Sequence, residues 1–459
     1  MDQKIQLKHL YLRAGFGLSA KEWIDRKDWS IKKAVNELFA QAEKANPLAL
    51  IARVDQGPKS DDPKERAKVR TAEKQLVKQI SFDWLLRMAE PKESSLLEKM
   101  CLFWHGHFAC RSRAGYLANN QLNTIRKHGL GNFRDFVKAI AKDAAMIRYL
   151  DNHRNKKNNP NENFARELME LFTIGIGHYS EEDVKEAARA FTGWNSNKQG
   201  VYELKKRQHD YGEKTFMNKT GNFNGNDIID IILERKETAY FITKKIYRYF
   251  VNQEINESIV KELSEGFYSS DYNIKQLMRD IFESDWFYDI KNIGTKIKSP
   301  TEFTVGIFRQ LNGVPTQSIA LLRAQKALGQ TLFYPPNVAG WREGKYWIDN
   351  STLMLRLSLP TSIFNHSNLI FSVKPELEDM GKKRIRKFSA KIDILPVVEM
   401  TKGMNSEETH ETLQTFLLQT QLAIPQKGIQ SFVLEKEERG KYLLNYCIRL
   451  MSLPEYQMC

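Results

Sequence analysis

The chain has 459 residues, with 70 Lys and Arg against 56 Asp and Glu and a formal net charge of +14. That length exceeds what one simple core holds, so two or three closely packed subdomains are expected, and 41% hydrophobic residues with 25 Phe, 17 Tyr and 8 Trp exclude a disordered chain. The basic residues are scattered among acids rather than interleaved with aromatics in a compact block, which argues against nucleic-acid binding, and no run approaches the roughly eighteen apolar residues of a membrane span.

Four cysteines, Cys101, Cys110, Cys447 and Cys459, form no dense pattern, so a disulfide-stapled domain is not expected. The start, Met1 to Lys8, lacks the apolar core and small-residue cleavage site of a secretion signal. As written, the chain is expected in the cytoplasm, and in the periplasm or outside the cell if a signal has been trimmed from it.

The expected fold is mainly α-helical, with a small β-hairpin insertion near 195–225. Ser19 and Ser30 are placed to cap helices from Ala20 and Ile31. A polar loop at Gly57–Pro63 leads to a long charged helix ending near Met88, followed by one from Ser95 into Trp104-His105-Gly106-His107-Phe108. The next helix, Leu117 to His128, stops at Gly129, a natural left-handed cap, and Asn132 caps the one after it. An Asn- and Lys-rich loop, 152–159, delivers the chain into a helix over Pro160–Phe172 that Gly175 and Gly177 end. Ser180-Glu181-Glu182-Asp183 caps the following helix with an acidic first turn, favourable to its dipole. From Asn195 to Gly225 the helical period disappears, and Val201–Leu204 and Lys214–Met217 read as short strands of a hairpin. Helices resume to about Leu311. Tyr334-Pro335-Pro336-Asn337-Val338-Ala339-Gly340-Trp341 is a fixed loop with a buried tryptophan. The tail carries the basic run Lys382-Lys383-Arg384-Ile385-Arg386-Lys387, then helices around Glu408–Leu422 and Glu435–Met451. The divisions follow: 1–194 helical, 195–225 hairpin, 226–374 helical, and 375–459 a charged helical segment.

The helix Pro160–Phe172 is the most informative stretch. Phe164, Ala165, Leu168, Met169, Leu171 and Phe172 gather on one arc, and Glu162, Asn163, Arg166, Glu167 and Glu170 fill the other. Arg166 stands four residues from both Glu162 and Glu170, so one guanidinium is expected between two carboxylates. Between Asn158 and Val184 it is the single Lys or Arg against six acids, an acidic island in a basic protein. Such a face is either a solvated row of ion pairs or a pocket wall holding carboxylates for a metal or a proton.

Cys101, His105, His107 and Cys110 have the residue inventory of a zinc site, yet on a continuous helix His105 and His107 lie about 200° apart and face different ways. His209-Asp210, in the hairpin, is a second acid–base or ligand candidate. The phosphate loop, the dinucleotide-binding glycine motif, the serine-hydrolase elbow and the His-Glu-x-x-His motif are all missing.

Six segments together resemble a large bacterial family catalogued as a domain of unknown function, number 1800. They are His9–Gly17, Phe103–Phe108, Pro160–Phe172 with Gly175 and Gly177, Ala188–Trp194, Lys298-Ser299-Pro300 and Pro335–Trp341. The family has no agreed activity, so the resemblance carries over no catalytic residue. It implies a genomic neighbour of the alkaline phosphatase-like or sulfatase-like kind, and through it a joint pathway and an anionic substrate. Two expectations remain. One is an enzyme whose pocket joins Glu162, Arg166, Glu167 and Glu170 to His105 or His107 and to His209-Asp210, with a divalent transition metal such as zinc, manganese or iron, or with acid–base chemistry alone. The other is a non-catalytic binding or assembly partner of that neighbour, in which Glu162, Arg166 and Glu170 form a structural ion-pair network.

Overall fold

The computed structural model describes residues 2–54, 62–364, 389–423 and 438–459. Most of the polar loop at 57–63, the basic run Lys382–Lys387 and the first residues of the helix expected from Glu435 lie outside these. Helix accounts for 62% of the structure, and the sheets among the described residues are three antiparallel pairs of three-residue strands. The fold is therefore mainly α with small hairpins.

Local chemistry places many of the boundaries. Ser19 Oγ accepts from Glu22 N while the Glu22 carboxylate takes Ser19 N, a full capping box, and Ser180 with Asp183 and Ser299 with Glu302 repeat it. Gly175 and Gly177 leave their helix with φ of 84° and 90°, the left-handed conformation in which only glycine is unstrained. Gly129 differs from expectation, because its φ of −63° is right-handed. It is needed for space: a Cβ there would sit 3.1 Å from Trp104 Cδ1, and the Trp104 indole donates to Gly129 O at 2.8 Å.

The hairpin insertion is two hairpins. Strands β1 (Trp194–Ser196) and β2 (Tyr202–Leu204) pair, and β3 (Lys214–Phe216) pairs with β4 (Lys219–Gly221) through Met217 and Asn218, both at positive φ. A two-residue turn with both centres left-handed matches the twist of the strands; Asn218 signals it and Met217 hides it. The β3–β4 hairpin is hooked onto the helix Glu181–Ala190, whose Asp183 and Glu186 carboxylates accept from Met217 N at 2.7 Å and Thr215 N at 2.9 Å. A third pair, β5 (Gly313–Pro315) with β6 (Ala390–Ile392), joins segments far apart in sequence.

One connected apolar core runs from Leu7 to Tyr456 and includes residues of all four sequence divisions. Buried charges pin it together. Arg13, 1% exposed, donates to the carbonyls of Val251 (2.9 Å), Asn292 (2.8 Å) and Cys459 (2.8 Å). Arg309, 2% exposed, grips both Glu22 oxygens at 2.9 and 3.1 Å and donates to Gly17 O at 2.9 Å. Burial would raise the Glu302 carboxyl, but Lys296, 3.0 Å away, and Lys99, also paired with it, hold it well below the usual range. Because each of these groups is paired, the core tolerates them; removing one partner strands the other.

Candidate functional site

The acidic helix begins later than expected and changes type midway. Residues Asn163–Glu167 are α-helical, and Leu168–Thr173 continue as a π-helix. A π-turn bonds i to i+5, one residue wider than an α-turn, and this slip moves Glu170 off the face that periodicity assigns to it. Arg166 accordingly pairs with Glu162 at 3.1 Å and, instead of Glu170, with both oxygens of Glu181 in the next helix at 2.8 and 2.7 Å. That hydrogen bonding to Glu181 raises its pKa further. The side chain is 34% exposed, so the triad lies in the surface rather than beneath it. Asn163, four residues before Glu167, turns away and donates to Leu150 O at 3.1 Å. Glu167 is half-buried; burial and then the neighbouring Glu170 push its carboxyl up. Among the described residues no ion pair joins Glu167 or Glu170 to a base.

The π-turn also decides what the histidines do. Its carbonyls Leu171 O and Phe172 O are claimed by side chains from two other helices. His107 Nε2 donates to Phe172 O at 3.0 Å, and Lys245 Nζ, on the helix Lys236–Phe250, donates to Leu171 O at 2.8 Å and approaches His107 Nδ1 at 3.4 Å. Since a carbonyl only accepts, Nε2 of His107 carries the proton and Nδ1 is the acceptor. His105 takes the opposite tautomer: Phe333 N donates to its Nε2 at 3.0 Å, which leaves the proton on Nδ1. The helix Ser95–His107 is continuous, so the two rings face apart as the sequence implies. His105 packs edge-on to Trp84 with centroids 5.3 Å apart and lies 5.6 Å from the half-buried Trp341. Burial drives both rings to low pKa, His105 to about 3 and His107 well below the imidazole range, with Lys245 adding to the latter. Lys245, itself half-buried, is brought down to about 8 by desolvation. Cys101 and Cys110 are buried thiols whose pKa burial raises well above the usual value. Among the described residues, no three or more His, Cys, Asp or Glu side chains gather as a metal-binding group.

His209 and Asp210 form a structural corner. The buried His209 donates from Nδ1 to Thr192 O at 2.7 Å, and Asp210 receives Arg189 Nε at 2.8 Å and Gly212 N at 2.8 Å. The Asn-rich loop is spent similarly: the buried Asn155 donates to Ala188 O at 2.8 Å and accepts from Asn161 N at 2.9 Å.

Next to the acidic helix the structure opens a polar recess of about 730 Å³ that sequence reading missed. Glu182, Asp183 and Glu186 line it, with His178 and Tyr179 from the glycine turn, Arg235 and the β3–β4 hairpin. Tyr179 links it to the acidic island, for burial and then Glu170 push its hydroxyl pKa up. Asp183 and Glu186 are engaged with the hairpin and Arg235 with Glu237 at 3.0 Å, whereas among the described residues Glu182 pairs with the exposed Lys185 alone, at 3.1 Å. His178 has no companion in the sequence; only the fold sets it beside Arg235.

Together these features define a mainly helical protein in which a π-turned acidic helix forms the hub between a histidine helix and a two-hairpin insertion. No described helix is long and apolar enough to cross a membrane. The chain belongs to the family described as protein of unknown function (DUF1800), whose profile matches residues 9–458. No curated protein and no solved structure matches it.

Proposed function

We propose that this chain is a non-catalytic binding or assembly protein, and that the acidic recess with the neighbouring flank of Glu167, Glu170 and Glu182 receives a basic segment of a partner protein. One observation carries the reading: the groups suited to catalysis are already occupied. Arg166 is filled by Glu162 and Glu181, His107 by Phe172 O and Lys245, His209 by Thr192 O, and Asp210 by Arg189. A general acid or base must reach the proton it moves, and among the described residues no hydrogen bond or ion pair joins the helix carboxylates to these histidines. Metal binding at His105 or His107 would first require a lone pair now spent on Phe333 N–H or Lys245.

The alkaline phosphatase-like or sulfatase-like protein implied as a genomic neighbour is the partner to test. Co-expression followed by size-exclusion chromatography is expected to recover a complex that Glu182→Lys with Glu170→Lys weakens and Arg166→Met preserves. Failure to recover the complex, or indifference to the charge reversal, overturns the proposal. The enzyme reading keeps one supporting observation, the half-buried Glu167 with its raised pKa, and predicts that Glu167→Gln abolishes an activity while leaving the complex intact.

A further inference from the structure

A second recess, of about 320 Å³, lies away from the acidic island, between the helices Gly115–His128 and Phe133–Ala141. The β1–β2 turn closes over one side. Gly200, at φ 82°, rests its backbone on the first helix, where a Cβ would meet Tyr116 Cε2 and Leu117 Cδ2 at 3.1 Å and Asn120 Nδ2 at 3.5 Å. The turn is fixed in place, since Asn197 Oδ1 accepts from Gln199 N and Val201 N at 3.0 Å and Arg53 donates to Lys198 O at 3.1 Å. The recess is therefore bounded by two helices and a stapled turn.

Its lining carries more basic than acidic groups, two lysines and a histidine against one carboxyl. Lys127, His128 and Lys142 all contribute, and among the described residues none of them forms an ion pair. An exposed lysine such as Lys127 is ordinary by itself. Lys142 is not, because it is half-buried with its ammonium 5.6 Å from the Trp194 ring centroid and 5.7 Å from that of Tyr202, and an aromatic face compensates a cation weakly. The His128 ring lies parallel to Phe136, 6.0 Å away, so its position is set by packing. One carboxylate reaches the recess. Asp143 caps the next helix through Oδ1, accepting from Ala145 N at 3.0 Å and Met146 N at 3.1 Å, and Oδ2 makes no hydrogen bond among the described residues. Burial pushes that carboxyl up to about 7, so near neutrality it opposes an anion less than an ordinary carboxylate would. The Asn120 amide adds a further polar group to the wall, with no side-chain hydrogen bond among the described residues.

We propose that this recess binds a small phosphate-class anion, with Lys127 and Lys142 supplying the charge and Asn120 and His128 directing hydrogen bonds to its oxygens. Two lysines against one buried carboxyl, adjacent amide and imidazole groups, and a volume that suits a phosphate with a small organic group meet the requirements of oxyanion binding.

Isothermal titration of the full chain with inorganic phosphate and separately with glucose 6-phosphate, each at ionic strength matched with chloride, tests this. Both are expected to bind saturably at one site, and Lys127→Gln and Lys142→Gln are each expected to weaken binding by about tenfold or more. Lys127 is exposed, so its variant folds even if Lys142→Gln does not, and thermal melting of each variant checks this. Absence of saturable binding to either probe, or unchanged affinity in Lys127→Gln, overturns the proposal.

Discussion

Replacing His107 by Gln probes the contact between the histidine helix and the π-turn. In the native protein the ring is 8% exposed and neutral, donating to Phe172 O and facing the Lys245 ammonium. Above pH 7 the variant is expected to lose about 1–3 kcal/mol, the cost of leaving a buried carbonyl or amine poorly paired. Acid should narrow that gap. The folded-state pKa is depressed, with burial the chief cause and Lys245 the next, so below the unfolded value of 6.5 the unfolded chain takes a proton that the native ring refuses. Wild-type stability from this group is therefore complete above pH 6.5 and declines as pH falls, by about 1.4 kcal/mol per unit. At pH 5, one and a half units lower, the decline reaches about 2 kcal/mol. His107→Gln cannot titrate, so the difference between the two proteins should shrink by about that amount between pH 8 and pH 5. Urea unfolding at constant ionic strength over this range measures it. A gap constant to within about 0.5 kcal/mol would refute the buried neutral ring.

Gly340→Ala should destabilise by about 2–5 kcal/mol, because φ there is 80° and a Cβ would stand 2.3 Å from Gly106 O; a thermal melt within a degree of wild type would contradict the packing of the proline loop on the histidine helix. Arg309→Met, which leaves the buried Glu22 with the part-exposed Arg26 and Ser19 N alone, is expected to cost about 3 kcal/mol, and the double variant with Glu22→Gln should recover part of it in denaturant unfolding. Arg166→Met should cost about 1 kcal/mol or less and less still in high salt, since its ion pairs lie in solvent; a loss of several kcal/mol would mean that the triad holds up the core.

Much of the architecture is legible in the sequence because helix ends carry local chemistry. Ser19, Ser30, Asn132 and Ser180 cap where a polar residue precedes an amphipathic run, and Gly175 and Gly177 end the acidic helix. What is hidden depends on partners distant in sequence. Periodicity assumes 3.6 residues per turn, so it paired Arg166 with Glu170 and could not see the wider turn that substitutes Glu181. Met217 gives no hint of a left-handed turn, and the second hairpin was merged with the first. Gly129 was read for its backbone freedom, whereas its role is to let the Trp104 indole lie against the main chain. The helix carrying His105 and His107 is continuous, so the rings face apart, yet nothing nearby in sequence names Phe333 N or Lys245 as what each ring meets. Nothing near Lys142 or His128 in the sequence shows that the β1–β2 turn packs beside them.

The extra residue held in Leu168–Thr173 gives the acidic helix two settings on one sequence register. Removing a single residue there would let an ordinary helix resume with the residues downstream near their present phase, because a π-turn holds one residue more than the α-turn it replaces. What it would remove is the widened turn from which Leu171 O and Phe172 O now meet the Lys245 amine and the His107 imidazole. A one-residue deletion in this turn thus acts on two neighbouring helices at once, whereas one in the loop before it would be absorbed locally.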